Sequence, residues 1–441
     1  MKTLSQLHDL LQRGELSSRE LTEKYLSAIE RDDKELNAYV CVTPEEALAT
    51  ADRVDEKIRR GESYIDDVDA RGMKQAVDDG RLTATCCFDE LRRADIAVIC
   101  VPTPLDPHCQ PDLSYVRGSA QEISVRLHRD MLIILESTTY PGTTQELICP
   151  LLEKSGLKEG EDFYLAFSPE RVDPGNSVYH TENTPKVVGG MERESTRLTS
   201  LFYRQILRGG VTTVSCPMAA EMEKLLENTY RHVNIALINE LSMLCHRMGI
   251  DIWEVISAAA TKPYGFQAFY PGPGLGGHCI PLDPFYLSWK AREYGFHTRL
   301  IETSGEINSE MPRYVVTRLA DELNRQGKPL SQSRILLLGM SYKADIRDIR
   351  ESPSLRIWEL LEKSGARLSY YDPYVPSVTF ASGKAESLPA CTPEVLGQFD
   401  AALLCTGHSC LDGETICRCC PLVFDTRNAF AAVKCGHKVV L

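Results

Sequence analysis

The chain has 441 residues, 43% of them hydrophobic and 25% charged, enough for two or three domains with separate cores. A formal net charge of -13 argues against nucleic acid or anionic membrane as the main partner, since neither a phosphate backbone nor a lipid head group attracts such a surface. An anionic small substrate would need a local basic pocket. No apolar run has the length of a membrane span, and the charges from Met1 to Gly14 are scattered rather than followed by an apolar block, so the sequence reads as that of a cytoplasmic protein.

Sixteen cysteines suggest a disulfide framework until their setting is considered. Most, like Cys100, Cys245 and Cys405, stand singly in apolar segments, where a reduced thiol behaves as a small hydrophobe. Cys410, Cys417, Cys419 and Cys420, with His408 and His437, invite a zinc reading. The spacing lacks a paired C-x2-C and a strand follows at once, so no metal site is assigned.

Residues 1–60 are expected to be helical. Ser17 and Glu20 make a capping box before Leu21, Tyr25, Ala28 and Ile29, which share one helical face. Thr43, Pro44 and Glu46 open a second helix carrying Ala47, Leu48, Ala51 and Ile58. From about Gly61 the texture alternates strand and helix: Ile96 to Val101, Met131 to Glu136, Lys186 to Val188 and Val211 to Val214 are short apolar runs of a buried, largely parallel sheet. A long helix is predicted from Met218 to Met248, apolar on more than one face, which suits an interdomain or dimer spine. A helical stretch through Asn324 follows. The α/β pattern then resumes with strands Arg334 to Leu338, Arg367 to Tyr371, Ala401 to Cys405 and Leu422 to Phe424, a second doubly wound domain.

The most informative stretch is Pro271 to Pro284, P-G-P-G-L-G-G-H-C-I-P-L-D-P. Glycines and prolines ahead of Cys279 describe a backbone that is neither helix nor strand and that comes close to a ligand because side chains are missing. The plainer reading is a glycine-rich turn with an incidental cysteine. Gly272, Gly274 and Gly277 formally satisfy G-x-G-x-x-G, but that motif binds pyrophosphate only between a strand and a helix N-terminus. Here an aromatic loop, Phe266 to Tyr270, precedes it, and Pro281 and Pro284 follow, so the dinucleotide reading is rejected.

Six motifs occur in order: E-S-T-T-Y-P-G-T-T at Glu136 to Thr144, S-P-E-R-V-D-P-G at Ser168 to Gly175, E-M-E-K-L-L-E-N at Glu221 to Asn228, the Gly276 to Pro281 run, S-Y-K-A-D-I-R-D-I-R-E-S-P at Ser341 to Pro353, and D-T-R-N at Asp425 to Asn428. From about residue 61 onward the chain resembles the UDP-glucose/GDP-mannose dehydrogenase family, most closely its UDP-N-acetylglucosamine 6-dehydrogenase branch. The resemblance implies two doubly wound Rossmann-like domains joined by a long central helix: an NAD domain over 61–215, a central helical and dimerisation domain over 216–324 and a UDP-sugar domain over 325–441. It implies oxidation of a sugar C6 alcohol to a carboxylate with two NAD+, the thiol of Cys279 carrying a thioester, and a homodimer formed through the central helix.

By the same resemblance Lys224 and Asn228, one turn apart, face the reacting carbon, Lys224 stabilising the oxyanion. Asp283 and Glu170 handle protons and water, and Thr138 positions the water. Pro102, Thr103, Thr138 and Arg350 contact NAD; Lys343, Gly276, Phe269 and Tyr270 contact the nucleotide-sugar. Taken alone, Lys224 reads as a solvated helix charge and Glu170 beside Arg171 as a surface pair.

The family's opening strand, glycine turn, helix and acid-ended strand are missing before Gly61, so the first domain lacks its initial βαβ unit. Residues Leu7 to Thr22 and Leu36 to Val40 resemble instead the start of the amidase-signature family, in particular the glutamyl-tRNA amidotransferase A subunit. That family's G-G-S-S-G loop occurs nowhere in the chain, so amide hydrolysis is not expected. A fusion near Asp55 to Ser63 is expected to leave the remaining sheet with one exposed edge and NAD without its pyrophosphate turn.

Overall fold

The computed structural model describes residues 19, 22 and 23 and residues 70–441 other than 86, 107–109, 174, 177 and 278. The two helices expected within residues 1–60 lie outside the described residues except at Arg19, Thr22 and Glu23, which are helical and include an Arg19–Glu23 ion pair of 3.0 Å.

The first sheet runs β1 (Ile96–Ile99), β2 (Leu132–Leu135), β3 (Tyr164–Phe167), β4 (Lys186–Gly190), β5 (Val211–Thr213), in that spatial order. Every pairing is parallel except β3 with β4. Short apolar runs become central strands because both faces are covered: Leu132 to Leu135 and Leu165 to Phe167 are fully or almost fully buried. Among the described strands β1 has one neighbour, β2, and on its outer face Val98 is 37% exposed. The β3 strand was not expected from sequence.

The second sheet has the order β12 (Lys438–Val440), β11 (Val423–Asp425), β10 (Ala401–Leu404), β6 (Arg334–Leu338), β7 (Arg367–Tyr371), all parallel. The chain moves from β6 to β7 on one side and returns to β10 on the other. The crevice beyond the ends of β6 and β10 is therefore the switch point where doubly wound sheets take ligands. A hairpin, β8 (Ser377–Phe380) with β9 (Gly383–Glu386), and the edge strand β12 are additions to the expected set.

Between the sheets runs the spine helix, Pro217–Met248, 32 residues and about 48 Å long. Pro217 starts it in the first turn and Gly249, at φ 70°, ends it in the left-handed conformation. Against it pack the cysteine helix, Cys279–Ala291, and the helix Arg299–Arg325. Among the described residues no helix is long and apolar enough to cross a membrane.

Candidate active site

Residues 271–277 form no helix or strand, as their composition demands, but a helix begins at Cys279. The prolines that argued against it are accommodated differently. Pro281 sits in the first turn, where an N–H has no intrahelical partner, whereas Pro284 is interior and removes one bond. No strand precedes the loop, so the dinucleotide fingerprint remains excluded by that half of the pattern. A Cβ on Gly276 would stand 2.5 Å from the Tyr342 Cβ, and Gly277 adopts φ 84° against the Tyr342 ring. The bare backbone thus lets the loop dock on the 341–353 segment of the second sheet, with the Gly277 N–H donating to the Arg350 carbonyl at 3.0 Å.

Cys279 and Asp283 are four apart on the cysteine helix and so share a face. Lys224 and Asn228 do the same on the spine helix. Asn228 Nδ2 donates to Asp283 Oδ2 at 2.5 Å, and Lys224 Nζ donates to the Glu170 carbonyl at 2.5 Å. Lys224, Asn228 and Asp283 are 7%, 7% and 2% exposed, so Lys224 is not the solvated charge its helix position suggested. Burial pushes the Asp283 carboxyl up to about 7, against the opposing pull of Lys224 and Asn228. Burial, then the neighbouring Asp283, raises the Cys279 thiol, while Lys224, Arg350 and Arg231 pull it down. A thiol, an ammonium and a carboxyl that exchanges its proton near neutrality therefore act on one another in one place.

Glu170 is not a surface partner of Arg171. Its carboxylate accepts the backbone N–H of Arg171 and Val172, at 2.7 and 2.9 Å, and an ion pair from Lys186 at 3.0 Å. Burial would raise it, but Lys186 and these N–H donors hold it below the ordinary carboxylate range. Arg171 pairs instead with Glu227. The group of Glu170 that touches Lys224 is the backbone carbonyl, while its carboxylate holds Lys186.

The turns after β1 and β2 meet here. Ser137 Oγ accepts the Val101 N–H at 2.8 Å and donates to the Val101 carbonyl at 2.7 Å. The Tyr286 hydroxyl, on the cysteine helix, donates to the Thr103 carbonyl. Pro102, Thr103 and Thr138 are thereby placed on a frame tied to Cys279. Glu221, one turn before Lys224 and fully buried, accepts from Gly142 N at 2.5 Å, Thr144 N at 2.9 Å and Thr144 Oγ1 at 2.7 Å. It fixes the E-S-T-T-Y-P-G-T-T segment to the spine. Sequence reasoning missed Glu221 as a positioning residue, although its spacing of three before Lys224 was the available signal. Arg231, exposed and three residues after Asn228, was missed as well; its charge is felt at both Cys279 and Asp173.

At the second sheet Lys343 Nζ pairs with Asp173 at 2.8 Å, and Arg350 makes a bidentate contact with Asp348 whose closest approach is 2.6 Å. Their loop is anchored by Asp372, which accepts the N–H groups of Met340 and Ser341 at 2.7 and 3.1 Å and bonds His408 at 3.1 Å. Phe269 packs among Ile238, Ile252 and Ile256, and Tyr270 stacks on Trp253 at 5.8 Å. These two rings are used against the spine and the helix that follows it. In the cysteine-rich corner, His437 spends Nε2 on the Cys417 carbonyl at 2.6 Å.

The Asp283 environment makes a prediction about pH. In the unfolded chain Asp283 ionises at about 4, and in the fold at about 7. Its contribution to stability is therefore full below about pH 4 and is lost as pH rises through about 7. Asp283→Asn cannot ionise and still accepts from Asn228. It should melt higher than the parent at pH 8 and equally at pH 4, with slower turnover at both. A Tm difference that grows toward acid would contradict this assignment.

Two α/β sheets hold a thiol, an amine and a carboxyl between them, and sheets of this kind take nucleotide ligands beyond the ends of their strands. The chain belongs to the UDP-glucose/GDP-mannose dehydrogenase family: its NAD binding domain is matched at residues 49–207, its central domain at 218–310 and its UDP binding domain at 336–432. It is 36% identical over 354 residues, 80% of this chain and 82% of the other, to a UDP-N-acetyl-D-glucosamine 6-dehydrogenase of Pseudomonas aeruginosa. It is 35% identical over 356 residues, 80% and 81% of the two chains, to a UDP-N-acetyl-D-mannosamine dehydrogenase of Pyrococcus horikoshii. The solved structure of the UDP-D-ManNAc dehydrogenase from Pyrococcus horikoshii superposes with a TM-score of 0.78 at 32% identity over 87% of this chain and 90% of that one. The UDP-N-acetyl-mannosamine dehydrogenase Cap5O from Staphylococcus aureus does so with a TM-score of 0.72 at 29% identity, over 87% and 89%.

Proposed function

We propose that the chain oxidises the C6 alcohol of a UDP-N-acetylhexosamine, UDP-N-acetylglucosamine foremost, to the uronate through a thioester on Cys279. The observation that carries this is the meeting of Cys279, Lys224 and the Asn228–Asp283 pair. The buried ammonium of Lys224, held by the Glu170 carbonyl, stabilises the alkoxide of the alcohol and then the oxyanion formed when the Cys279 sulfur adds to the aldehyde. Loss of the second hydride leaves a thioester, and water, positioned by Thr138, releases the acid and restores the thiol. Asp283 takes up and returns the protons. Two molecules of NAD+, bound in turn, would each accept one hydride.

Pro102, Thr103, Thr138 and Arg350 are the residues that would hold NAD, and the linked turns after β1 and β2 fit its nicotinamide end. Lys343, Gly276 and Arg231 are assigned to the nucleotide-sugar. For the pyrophosphate of NAD the fit is poorer. Residues 1–69 contain two glycines, Gly14 and Gly61, and hence no G-x-G-x-x-G turn. This favours a second reading, a fusion-derived chain that takes the UDP-sugar without turning it over. Titration of NAD+ with and without UDP-N-acetylglucosamine decides between them. Micromolar cofactor binding eliminates the second reading; sugar-nucleotide binding with no cofactor binding eliminates the first.

We also assign a homodimer, in the cytosol, to the outward stripe of the spine helix, where Met222, Leu226, Tyr230, Leu237, Leu241, Leu244 and Met248 are exposed at spacings of three, four and seven. A monomeric mass by light scattering at micromolar concentration would remove that assignment.

A further inference from the structure

The cysteine helix carries a built-in defect. An interior proline has no N–H to give, so the carbonyl four residues earlier loses its helical donor. For Pro284 that carbonyl belongs to Ile280, the residue next to Cys279. The structure supplies a donor from elsewhere: His232 Nδ1 lies 3.2 Å from the Ile280 oxygen. A carbonyl only accepts, which assigns the imidazole proton to Nδ1.

We infer that His232 is a positioning residue for Cys279, restoring by its Nδ1–H the hydrogen bond that Pro284 deletes from the first turns of the cysteine helix. The inference rests on reading Cys279 as the nucleophile. His232 is 1% exposed, its ring set edge-on to Phe285 at 6.3 Å, and a Cβ on Gly305 would stand 3.9 Å from its Nε2. Among the described residues Nε2 has no hydrogen-bond partner in range; the Ile301 carbonyl also acts on the ring, but the contact of hydrogen-bond length is that of Nδ1 with the Ile280 carbonyl. Burial holds the imidazole below its ordinary range and hence neutral, with a single N–H to direct.

The same residue closes a chain of buried amides. The His232 carbonyl accepts from Asn308 Nδ2 at 3.2 Å, Asn308 Oδ1 accepts from Asn239 Nδ2 at 2.9 Å, and Asn239 Oδ1 accepts the Gly272 N–H at 3.0 Å. The segment bearing Cys279 is thus tied to the spine helix at both ends, at Gly272 where it enters and at Ile280 where it leaves. A glycine-rich loop has little stiffness of its own, so its sulfur is only as well placed as these two ties.

Two variants separate the donor from the bulk. His232→Phe keeps ring volume without an N–H; His232→Asn places an amide N–H near the position of Nδ1. The Phe variant should lose roughly 10- to 100-fold in kcat, the cost of displacing a reacting atom by about 1 Å, with the KM for UDP-N-acetylglucosamine unchanged. The Asn variant should stay within about threefold of the parent. Amide hydrogen exchange of the 279–284 segment, followed by mass spectrometry without NAD, should be faster in the Phe variant and restored in the Asn variant. Unchanged exchange in His232→Phe, or an Asn variant as impaired as the Phe variant, overturns the inference. If exchange responds as expected while Cys279→Ser still makes acid, the tie is real and the nucleophile assignment is what fails.

Discussion

Replacing Cys279 by serine should abolish carboxylate formation, by roughly 10³-fold or more, the scale on which loss of a covalent nucleophile is felt. The reason lies in the demands of the second oxidation. An aldehyde carries no hydride that leaves readily until a nucleophile has added to it, and the adduct must then become an acyl group that water can displace. A thiol meets both needs, adding readily and leaving readily; an alcohol adds poorly and leaves worse. Burial raises the Cys279 thiol, and the opposing influence of Lys224, Arg350 and Arg231 sets how much of it is ionised when the aldehyde arrives. The measurement is uronate released per NAD+ consumed, with sugar-nucleotide affinity followed in parallel to show that the site still forms. Should the parent chain not take up NAD+, the same pair is compared in a version bearing an ordinary strand, glycine turn, helix and strand at its start. Undiminished acid from the serine variant would refute the thioester route.

How far the sequence revealed this arrangement depended on whether a signal was local. The strands Arg334 to Leu338 and Arg367 to Tyr371 were read with the bounds that the structure gives them, because each is an apolar or β-prone run between turn residues. The spine helix was placed to within one residue at its start. Tyr164–Phe167 was missed: four residues give no periodicity, and what makes them a strand is pairing with β2 on one side and β4 on the other. Cys279 was singled out because the glycines before it suggest a close backbone approach, and in the structure Gly276 and Gly277 do come close to Tyr342. Glu221, by contrast, looks like an ordinary helix carboxylate until the Gly142 and Thr144 donors, more than seventy residues away in sequence, close on it. The Glu170–Lys186 pair is another case of chemistry that only the sheet brings together. The helix starting at Cys279 was hidden for a different reason. Two prolines count against a helix in any local reading, and the bond that compensates for Pro284 comes from His232, forty-eight residues upstream of the Ile280 carbonyl it meets.

Lys224→Met should be the next most damaging change, lowering kcat roughly 10²- to 10³-fold, the typical loss when a preorganised oxyanion donor is removed from a water-poor site. The methionine keeps the length and apolar stem of the side chain, so the spine helix and its contact with the Asn228–Asp283 pair should survive. What disappears is the ammonium to which the proposal assigns the developing negative oxygen. Two further consequences separate this role from a structural one. Lys224 opposes the rise of the Asp283 carboxyl and of the Cys279 thiol, so both should ionise at higher pH in the variant. The alkylation rate of Cys279 by iodoacetamide at a fixed pH near 8 should therefore fall, and the limb of the kcat profile near pH 7 should move to higher pH. Lys224 also anchors the Glu170 carbonyl, and part of the activity loss will reflect that segment relaxing. Lys224→Arg isolates this part, since it retains charge and donors in a different shape. If the charge is what matters, the arginine variant keeps the parent's pH profile even where its kcat is low. A methionine variant with the parent's pH profile and alkylation rate would show that the ammonium does not act on Cys279, and the proposed chemistry would lose its oxyanion partner.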